Sequence, residues 1–259
     1  MKKTADSLGD RMKGFETLEA GRQMMPGLPV IARLDGRAFH TFCRGLDRPF
    51  CRAMSECMRL TTSDLVEEFH ASVGYTQSDE ITLVWREPTL FGSRYQKMTS
   101  ILAGYASATF TQMVPLFLPQ KAQLVPCFDC RVFQVPTLGE ALNCLIWRER
   151  DCTKNSISMA AQSVFSHKEL QNKNGSQMQE MLFQKGINFN DYPVRFKRGI
   201  YVKRQVEERE LTEEELARIP EGRRPTGPVK RGLVDTIDLG GPLTWSQENI
   251  DKLFGKDEP

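Results

Sequence analysis

Three carboxylates in two short motifs have the clearest potential for chemistry in this sequence. Asp35 ends a run of apolar residues and precedes a glycine, and Asp79 and Glu80 lie together in a short polar segment further along the chain. Carboxylates that gather in one place repel one another, and a bound cation removes that cost. Oxygen-only ligands suit Mg²⁺, which also binds the phosphate oxygens of a substrate. If the fold brings the two motifs together, they predict a magnesium site for in-line phosphoryl displacement.

The spacing of apolar residues predicts the elements that position these motifs. The predicted elements are a buried strand over Leu28–Leu34, a helix from about Cys51 to His70, strands at Ala71–Tyr75 and Ile81–Trp85, a second helix from near Ser93, and a strand at Phe128–Val135. The polar segment between the second and third strands is short enough to be a hairpin tip. The order is βαββαβ, so we predict an α+β fold with the ferredoxin-like, split-βαβ sheet.

This topology predicts that the two motifs meet. The usual strand order of a split-βαβ sheet is 4-1-3-2, and strands 1 and 3 are antiparallel neighbours. The end of strand 1, at Asp35, therefore lies beside the start of strand 3, at Asp79 and Glu80. Taken singly, an Asp-Gly pair is usually only a turn and Ser-Asp-Glu only a hairpin tip; their predicted adjacency favours the metal site. Gly36 would allow close approach of the backbone, and its carbonyl could be a further ligand.

Composition restricts the function less sharply. The net charge is +2, so nucleic-acid binding would depend on local patches at 195–204 and 223–231, each explained equally well as solvated surface. We expect a cytosolic protein, because no apolar stretch is long enough to span a bilayer and the segment 1–6 lacks the apolar continuation of a signal peptide. Seven scattered cysteines indicate reduced thiols. Cys127 and Cys130 have C-x-x-C spacing, but no second pair answers them as in a zinc site.

The remaining sequence predicts a second, mostly helical part. Capping boxes begin at Thr137, Ser176 and Thr212, and Gly186 has the position of a helix C-cap. We therefore predict a catalytic domain over 1–136 and, over 137–259, a helical and C-terminal elaboration that packs on it and contacts RNA.

The motifs closely resemble those of the tRNA-His guanylyltransferase family, including its Thg1-like repair branch. The matching segments cover roughly Val30 to Asn190 in the same order: Ala32–His40, Gln77–Ile81, Arg94-x-x-Lys97, Phe128–Phe133, Trp147-Arg148 with Asp151-Cys152, and Gly186–Asn190. Each motif alone would be weak, but together they make the resemblance strong.

The resemblance implies a polymerase-like palm and an enzyme that extends tRNA in the 3′→5′ direction. ATP or GTP activates a 5′-monophosphate, and the 3′-hydroxyl of an incoming nucleotide then attacks the activated end. Two Mg²⁺ ions would bind Asp35, Asp79 and the Gly36 carbonyl, with Glu80 as an electrostatic support. The residues that would line the nucleotide pocket are Asp35, Gly36, Arg37, Ala38, Phe39, His40, Ser78 and Asp79.

The resemblance also assigns phosphate, RNA and subunit contacts. Arg48, Arg94 and Lys97 are the candidate phosphate-binding residues, since a polyphosphate carries more charge than two metal ions neutralise. The predicted topology starts the Arg94–Lys97 helix at the edge opposite Asp35. These two residues could therefore contact the bound phosphates only if the pocket extends to that edge or if they come from a neighbouring subunit. Candidate RNA or second-nucleotide contacts are Asn155, Asn188, Asn190 and Arg198, for which an Asn-rich turn and a basic strand are equally good explanations. The implied partners are tRNA, nucleoside triphosphates and, by resemblance alone, further copies in a homotetramer.

One departure from the family pattern indicates the repair branch. Where the eukaryotic enzymes read His-Ile-Asn-Asn-Leu-Tyr-Asn, residues 153–159 read Thr-Lys-Asn-Ser-Ile-Ser-Met and keep only Asn155. Templated repair of truncated tRNA 5′ ends is therefore the leading hypothesis. The alternatives are a dedicated enzyme that adds one G to tRNA-His, a palm-type nucleotide cyclase, and a tRNA-binding module without catalysis.

Overall fold

The computed structural model describes residues 7–87 and 90–255, so the segment 1–6 lies outside the described residues. The strands are β1 (Val30–Gly36), β2 (Val73–Gln77), β3 (Glu80–Trp85), β4 (Phe128–Gln134), β5 (Ile200–Arg209) and β6 (Val229–Ile237). The helices are α1 (Ser7–Ala20), α2 (Phe39–Phe42), α3 (Arg52–Glu68), α4 (Tyr95–Phe117), α5 (Leu138–Gln162), α6 (His167–Leu170), α7 (Gly175–Gln184), α8 (Val194–Arg198), α9 (Glu213–Ala217) and α10 (Gln247–Phe254).

One antiparallel sheet organises the chain, with strand order β4-β1-β3-β2-β5-β6. Its first four strands have the predicted 4-1-3-2 order, and α3 and α4 are the predicted crossover helices. The α+β, βαββαβ prediction is therefore confirmed. In the β1–β3 ladder Asp35 lies opposite Glu80, so this pairing places the two acidic motifs side by side.

The sheet is larger than the sequence predicted, which corrects the expectation of a mostly helical second part. β5 pairs with β2 at three positions, from Gly74 with Val202 to Thr76 with Ile200, and β6 continues the sheet outwards. The apolar signal covers only the start of β5, because the strand continues through polar, exposed residues such as Gln205 and Glu208. Of the basic run at 195–204, for which a strand was the alternative, residues 195–198 lie in the short helix α8 and residues 200–204 lie in β5.

Helices cover both faces of the sheet. α3 and α4 pack on one face against strand side chains such as Leu34 and Leu83, which are fully buried, and α4 adds the buried ring of Phe110. α5 and α10 pack on the other face against Ile31 and Val84. β2 and β3 are buried at every position because both of their faces are covered. The site at the strand ends therefore rests on a rigid support.

Three of the four predicted helix-end signals are correct. The Thr137 side chain accepts from the Glu140 N–H at the start of α5, and Thr212 forms a complete capping box with Glu215. Gly186 follows α7 with a φ of 78°. The prediction at Ser176 is wrong, because Asn174 caps α7 through a capping box with Gln177. Asn and Ser are equally good caps, and the local sequence offered both.

Two further expectations from composition can be compared with the structure. All seven cysteines are free; Cys130 is buried within β4, whereas Cys127 is exposed just before that strand. Among the described residues, no helix is long and apolar enough to cross a bilayer.

Candidate active site

The acidic pair, Asp35 and Asp79, lies where β1 ends and the β2–β3 hairpin turns. The Gly36 N–H donates to the Asp79 carbonyl at 3.0 Å, which fixes the turn against the end of β1. Ser78 occupies the left-handed region with a φ of 49°, and its hydroxyl donates to Asp79 Oδ1 at 3.0 Å. The two-residue turn thus holds the Asp79 carboxylate beside Asp35, as the topology predicted.

Electrostatics favour a cation at the acidic pair. Burial raises the pKa of Asp79, and the negative charge of Asp35 raises it further, while a hydrogen bond from Ser78 and the nearby His40 oppose the shift. A cation bound beside the pair would favour the ionised form of Asp79 and so oppose this shift in its pKa. Among the residues that the structure describes, no three His, Cys, Asp or Glu side chains gather closely enough to hold a metal ion. Two carboxylates and the Gly36 carbonyl fit Mg²⁺, which takes its other ligands from water and phosphate.

Glu80 has a different environment from its neighbour Asp79. Its Oε1 accepts from Arg148 Nε at 2.6 Å, and its Oε2 lies 3.8 Å from Arg33 Nε. Arg148 also donates to Asp151 at 2.8 Å, and Asp151 accepts from Asn155 at 3.2 Å. The family resemblance implied that Glu80 supports the site electrostatically or through contacts with its surroundings, but it implied no role for Arg148 or Asp151, although both lie in matched motifs.

A cavity of about 550 Å³ opens beside the acidic pair. Its lining includes the predicted residues Asp35, His40, Arg48, Ser78, Asp79, Glu80 and Asn155. It also includes Arg195, from the predicted basic patch at 195–204, and Arg44, which the sequence did not single out. We call this space the site cavity. Its volume suits a nucleotide-sized ligand, and its charged groups suit a polyphosphate bound with a metal ion.

Aromatic side chains close one wall of the site cavity. The ring of Phe50 stacks on Phe196 with centroids 4.9 Å apart and an interplanar angle of 6°, and Tyr192 meets Phe50 edge-on at 5.1 Å. Arg195 pairs with Glu56 at 3.4 Å in the same region. These contacts join the loop before α3 to α8. Nothing in the sequence indicated them, because the two segments are far apart along the chain.

Phe39 is not placed to hold a nucleotide with its ring, which corrects that assignment. Its side chain is 2% exposed and packs against Phe42, Phe110 and Phe128 in the core. The helical phase of α2 explains the difference, since it buries Phe39 and leaves His40 exposed at the site cavity. Arg37 and Ala38 are exposed beside the acidic pair, and Ala38 is left-handed with a φ of 57°.

Arg94 and Lys97 lie at the other end of the sheet. Arg94 forms a β-bridge with Gln23, and the adjacent Tyr95 contacts Gln134, which pairs with the first residue of β1. Asp35 is five residues further along that strand, so the separation is about 16 Å along its axis. Within one chain, the structure therefore does not bring these two cations to the site cavity.

The other RNA candidates also lie outside the site cavity. The Asn188 side chain donates to Asp191, and the Asn190 carbonyl accepts from Lys197. Arg198 lines a second, more open cavity of about 1110 Å³ between α3 and the β5–β6 hairpin. Of the four candidates, only Asn155 faces the site cavity.

Comparison with known proteins agrees with this geometry. A family model described as tRNAHis guanylyltransferase matches residues 9–136. A solved structure of a bacterial tRNA(His) guanylyltransferase (Thg1)-like protein in complex with ATP is 37% identical, with a TM-score of 0.71, and the match covers 77% of this chain and 87% of that one.

The chain belongs to the tRNA(His) guanylyltransferase family.

Its members are nucleotidyltransferases, so the chain is an enzyme of this class. A bacterial Thg1-like structure in complex with GTP is 31% identical, with a TM-score of 0.67 and coverage of 89% and 91%. The tRNA(His) guanylyltransferase of Saccharomyces cerevisiae is 26% identical over 222 residues, which are 78% of this chain and 92% of the yeast enzyme. The fold is the palm-like α+β fold of these relatives.

Proposed function

We propose that this protein is a Mg²⁺-dependent nucleotidyltransferase that adds nucleotides in the 3′→5′ direction to the 5′ end of tRNA. The observation that carries the proposal is the position of Asp35 and Asp79, side by side at the rim of a nucleotide-sized cavity. A reaction that joins a triphosphate to an RNA end develops negative charge on phosphate oxygens, and this site concentrates the groups that stabilise such charge.

Each side chain has a proposed role that follows from its position in the site. Asp35, Asp79 and the Gly36 carbonyl would hold two Mg²⁺ ions, which supply a more nucleophilic attacking oxygen and stabilise the pyrophosphate leaving group. Arg48 and Arg44 would neutralise the negative charge of the polyphosphate that remains after two Mg²⁺ ions have bound. His40 and Ser78 border the same space, and Asn155 offers an amide for a base or ribose edge. ATP or GTP for activation, and nucleoside triphosphates for addition, are the proposed substrates.

Two observations favour repair of truncated tRNA over the addition of a single G to tRNA-His. Identity is 37% and 31% to the bacterial Thg1-like proteins and 26% to the yeast guanylyltransferase. The segment 153–159 on α5 also lacks two of the three asparagines of the eukaryotic pattern, and its surviving Asn155 faces the site cavity. We therefore propose templated 5′-end repair.

The proposal includes the assembly and the compartment. A homotetramer would allow Arg94 and Lys97 of one copy to approach the site of another, which their distance from Asp35 within one chain supports. The domain division at 136/137 is also proposed, since the family match ends at residue 136, with the second part contacting tRNA. We place the reaction in the cytoplasm.

The test uses purified protein, Mg²⁺, ATP, all four nucleoside triphosphates and a labelled tRNA that lacks its first nucleotide. Extension by one templated residue, lost in EDTA, is the expected result. Addition of a non-templated G to intact tRNA-His alone would instead identify a dedicated guanylyltransferase. Cyclic nucleotide without extension would indicate a cyclase. Binding of tRNA that persists in EDTA, with no turnover, would indicate a binding module and contradict the proposal.

A further inference from the structure

Arg148 is a buried cation that joins the carboxylate beside the acidic pair to the wall of the site cavity. Its side chain is 7% exposed, and it donates to Glu80 at 2.6 Å and to Asp151 at 2.8 Å. Its guanidinium also lies over the Trp147 ring, 4.3 Å from the centroid. These three contacts fix its position. Among side chains, the planar guanidinium group has the arrangement of donors that can reach both carboxylates at once.

The consequence for Glu80 is that both of its oxygens face cations. Arg148 approaches Oε1 and Arg33 approaches Oε2, and the Glu80 side chain is only 9% exposed. In contrast, the ion pairs among the described residues include none for Asp35 or Asp79. Three carboxylates converge on the end of β1, yet two are available to a metal ion and the third is already neutralised.

Neutralising Glu80 matters because a third free carboxylate would change the metal site. Each added carboxylate tightens divalent-cation binding. It would also occupy a coordination position that a substrate phosphate or water needs, and so slow exchange during turnover. A site that works with Mg²⁺ and phosphate therefore benefits from keeping this oxygen donor out of reach.

We propose that Arg148 is a positioning residue for nucleotide addition, which holds the Glu80 carboxylate out of the metal site and ties it to Asp151 and Asn155 on the cavity wall. This inference rests on the proposed function for its catalytic meaning. Its structural content, the exclusion of Glu80 from the metal, can be measured without any tRNA.

The first experiment measures Mn²⁺ affinity, with Mn²⁺ as the stand-in for Mg²⁺, by electron paramagnetic resonance. Arg148→Met approximates the apolar stem of the side chain and removes the guanidinium with its charge and donors. Freed Glu80 should then tighten Mn²⁺ binding roughly tenfold, while kcat for tRNA extension falls about 10- to 100-fold. The double variant Arg148→Met/Glu80→Gln should return the Mn²⁺ affinity to near the wild-type value. A residue with only a structural role would not give tighter binding that the second substitution reverses.

Arg150→Met is the matched control, since Arg150 is an exposed arginine on the same helix. It should change neither the Mn²⁺ affinity nor kcat. A folded Arg148→Met variant with unchanged or weaker Mn²⁺ binding would overturn the proposal.

If Arg148→Met does not fold, Glu80→Gln decides the question alone. Its Mn²⁺ affinity should stay within about twofold of wild type, whereas Asp79→Asn should lose most of the binding, since only direct ligands supply coordination energy. A loss for Glu80→Gln as large as that for Asp79→Asn would make Glu80 a ligand and overturn the inference. If wild-type protein binds Mn²⁺ but extends no tRNA, the proposed function fails while these affinities still test Arg148.

Discussion

Asp79 and Glu80 show how two consecutive acidic residues can take different roles. Asp79 lies in the hairpin turn, where its carboxylate accepts from the Ser78 hydroxyl and from a backbone N–H and feels the charge of Asp35. Glu80 begins β3 on the face covered by α5 and meets Arg148. Burial raises the pKa of both, but an arginine opposes the shift only at Glu80. The metal-binding assignment therefore rests on Asp79 and Asp35.

We predict that Asp79→Asn lowers kcat for tRNA extension by at least roughly 100-fold, because metal ions contribute several kcal/mol of transition-state stabilisation. The substitution keeps the shape of the side chain, so circular dichroism should report an unchanged fold. Single-turnover extension assays at saturating Mg²⁺ measure the effect, with Asp10→Asn on α1 as the control. Full activity of a folded Asp79→Asn variant would refute the metal assignment.

The same substitution predicts a dependence of stability on pH in metal-free protein. The pKa of Asp79 is raised in the folded state above its ordinary value of 3.8, so between the two pKa values the folded protein binds more protons than the unfolded chain. The contribution of Asp79 to the free energy of unfolding therefore falls as pH rises through that window. At neutral pH its full destabilising effect is present. Asp79→Asn should melt at a higher temperature than wild type at neutral pH, with a difference that disappears in acid. Melting curves of the two proteins over a pH series in EDTA test this, and a difference independent of pH would contradict it.

At the scale of elements, the site depends on how tightly α2 packs beneath the end of β1. A Cβ added at Gly36 would lie 2.4 Å from the Phe39 ring, which is held by Phe42, Phe110 and Phe128. The sequence explained this glycine by close approach to a metal ion. The structure adds a packing reason, because the aromatic core needs the space.

We therefore predict that Gly36→Ala destabilises the protein by about 1–3 kcal/mol through overpacking. The displaced Phe39 would also move the neighbouring His40, so KM for the nucleotide should rise. Gly104→Ala is the control, since Gly104 is exposed in the middle of α4 with no atom within 4 Å of its added Cβ, and it should stabilise by about 0.5–1 kcal/mol. Urea unfolding measures both changes. Equal stabilities for the two variants would show that the Phe39 ring can move aside for the added Cβ, and would contradict the prediction.

At the scale of the whole molecule, the basic side chains assigned to phosphate binding lie in two separate places, and a single chain does not bring them together. Arg44, Arg48 and Arg195 face the site cavity, whereas Arg94 and Lys97 lie at the far end of the sheet. The helix N-terminus that carries the last two is fixed by the βαββαβ order and cannot move to the acidic end. Any contact between these residues and the reacting phosphates must come from another copy.

We predict that mixtures of two inactive variants regain activity. Asp79→Asn lacks the metal site, and Arg94→Ala/Lys97→Ala lacks the distant cations, but a mixed oligomer contains sites with both. Random mixing should restore roughly a quarter of wild-type turnover if each site uses two neighbouring copies. The assay is tRNA extension after co-refolding, with Lys168→Ala/Lys173→Ala as a charge-matched control that stays active. No recovery would exclude a shared site, and full activity of Arg94→Ala/Lys97→Ala alone would exclude its role in phosphate binding.

The sequence by itself determined the order of the first four strands, and with it the meeting of Asp35 with Asp79. Both depend on local periodicity and on a topology that has few alternatives, so a strand end and a hairpin tip were enough to predict them. Tertiary structure alone decided which side chains surround the pair. The burial of Phe39, the pairing of Arg148 with Glu80, the stacking of Phe50 on Phe196 and the addition of β5 to the sheet all join segments distant in sequence. Such contacts follow from packing in three dimensions, for which a single sequence carries no local signal.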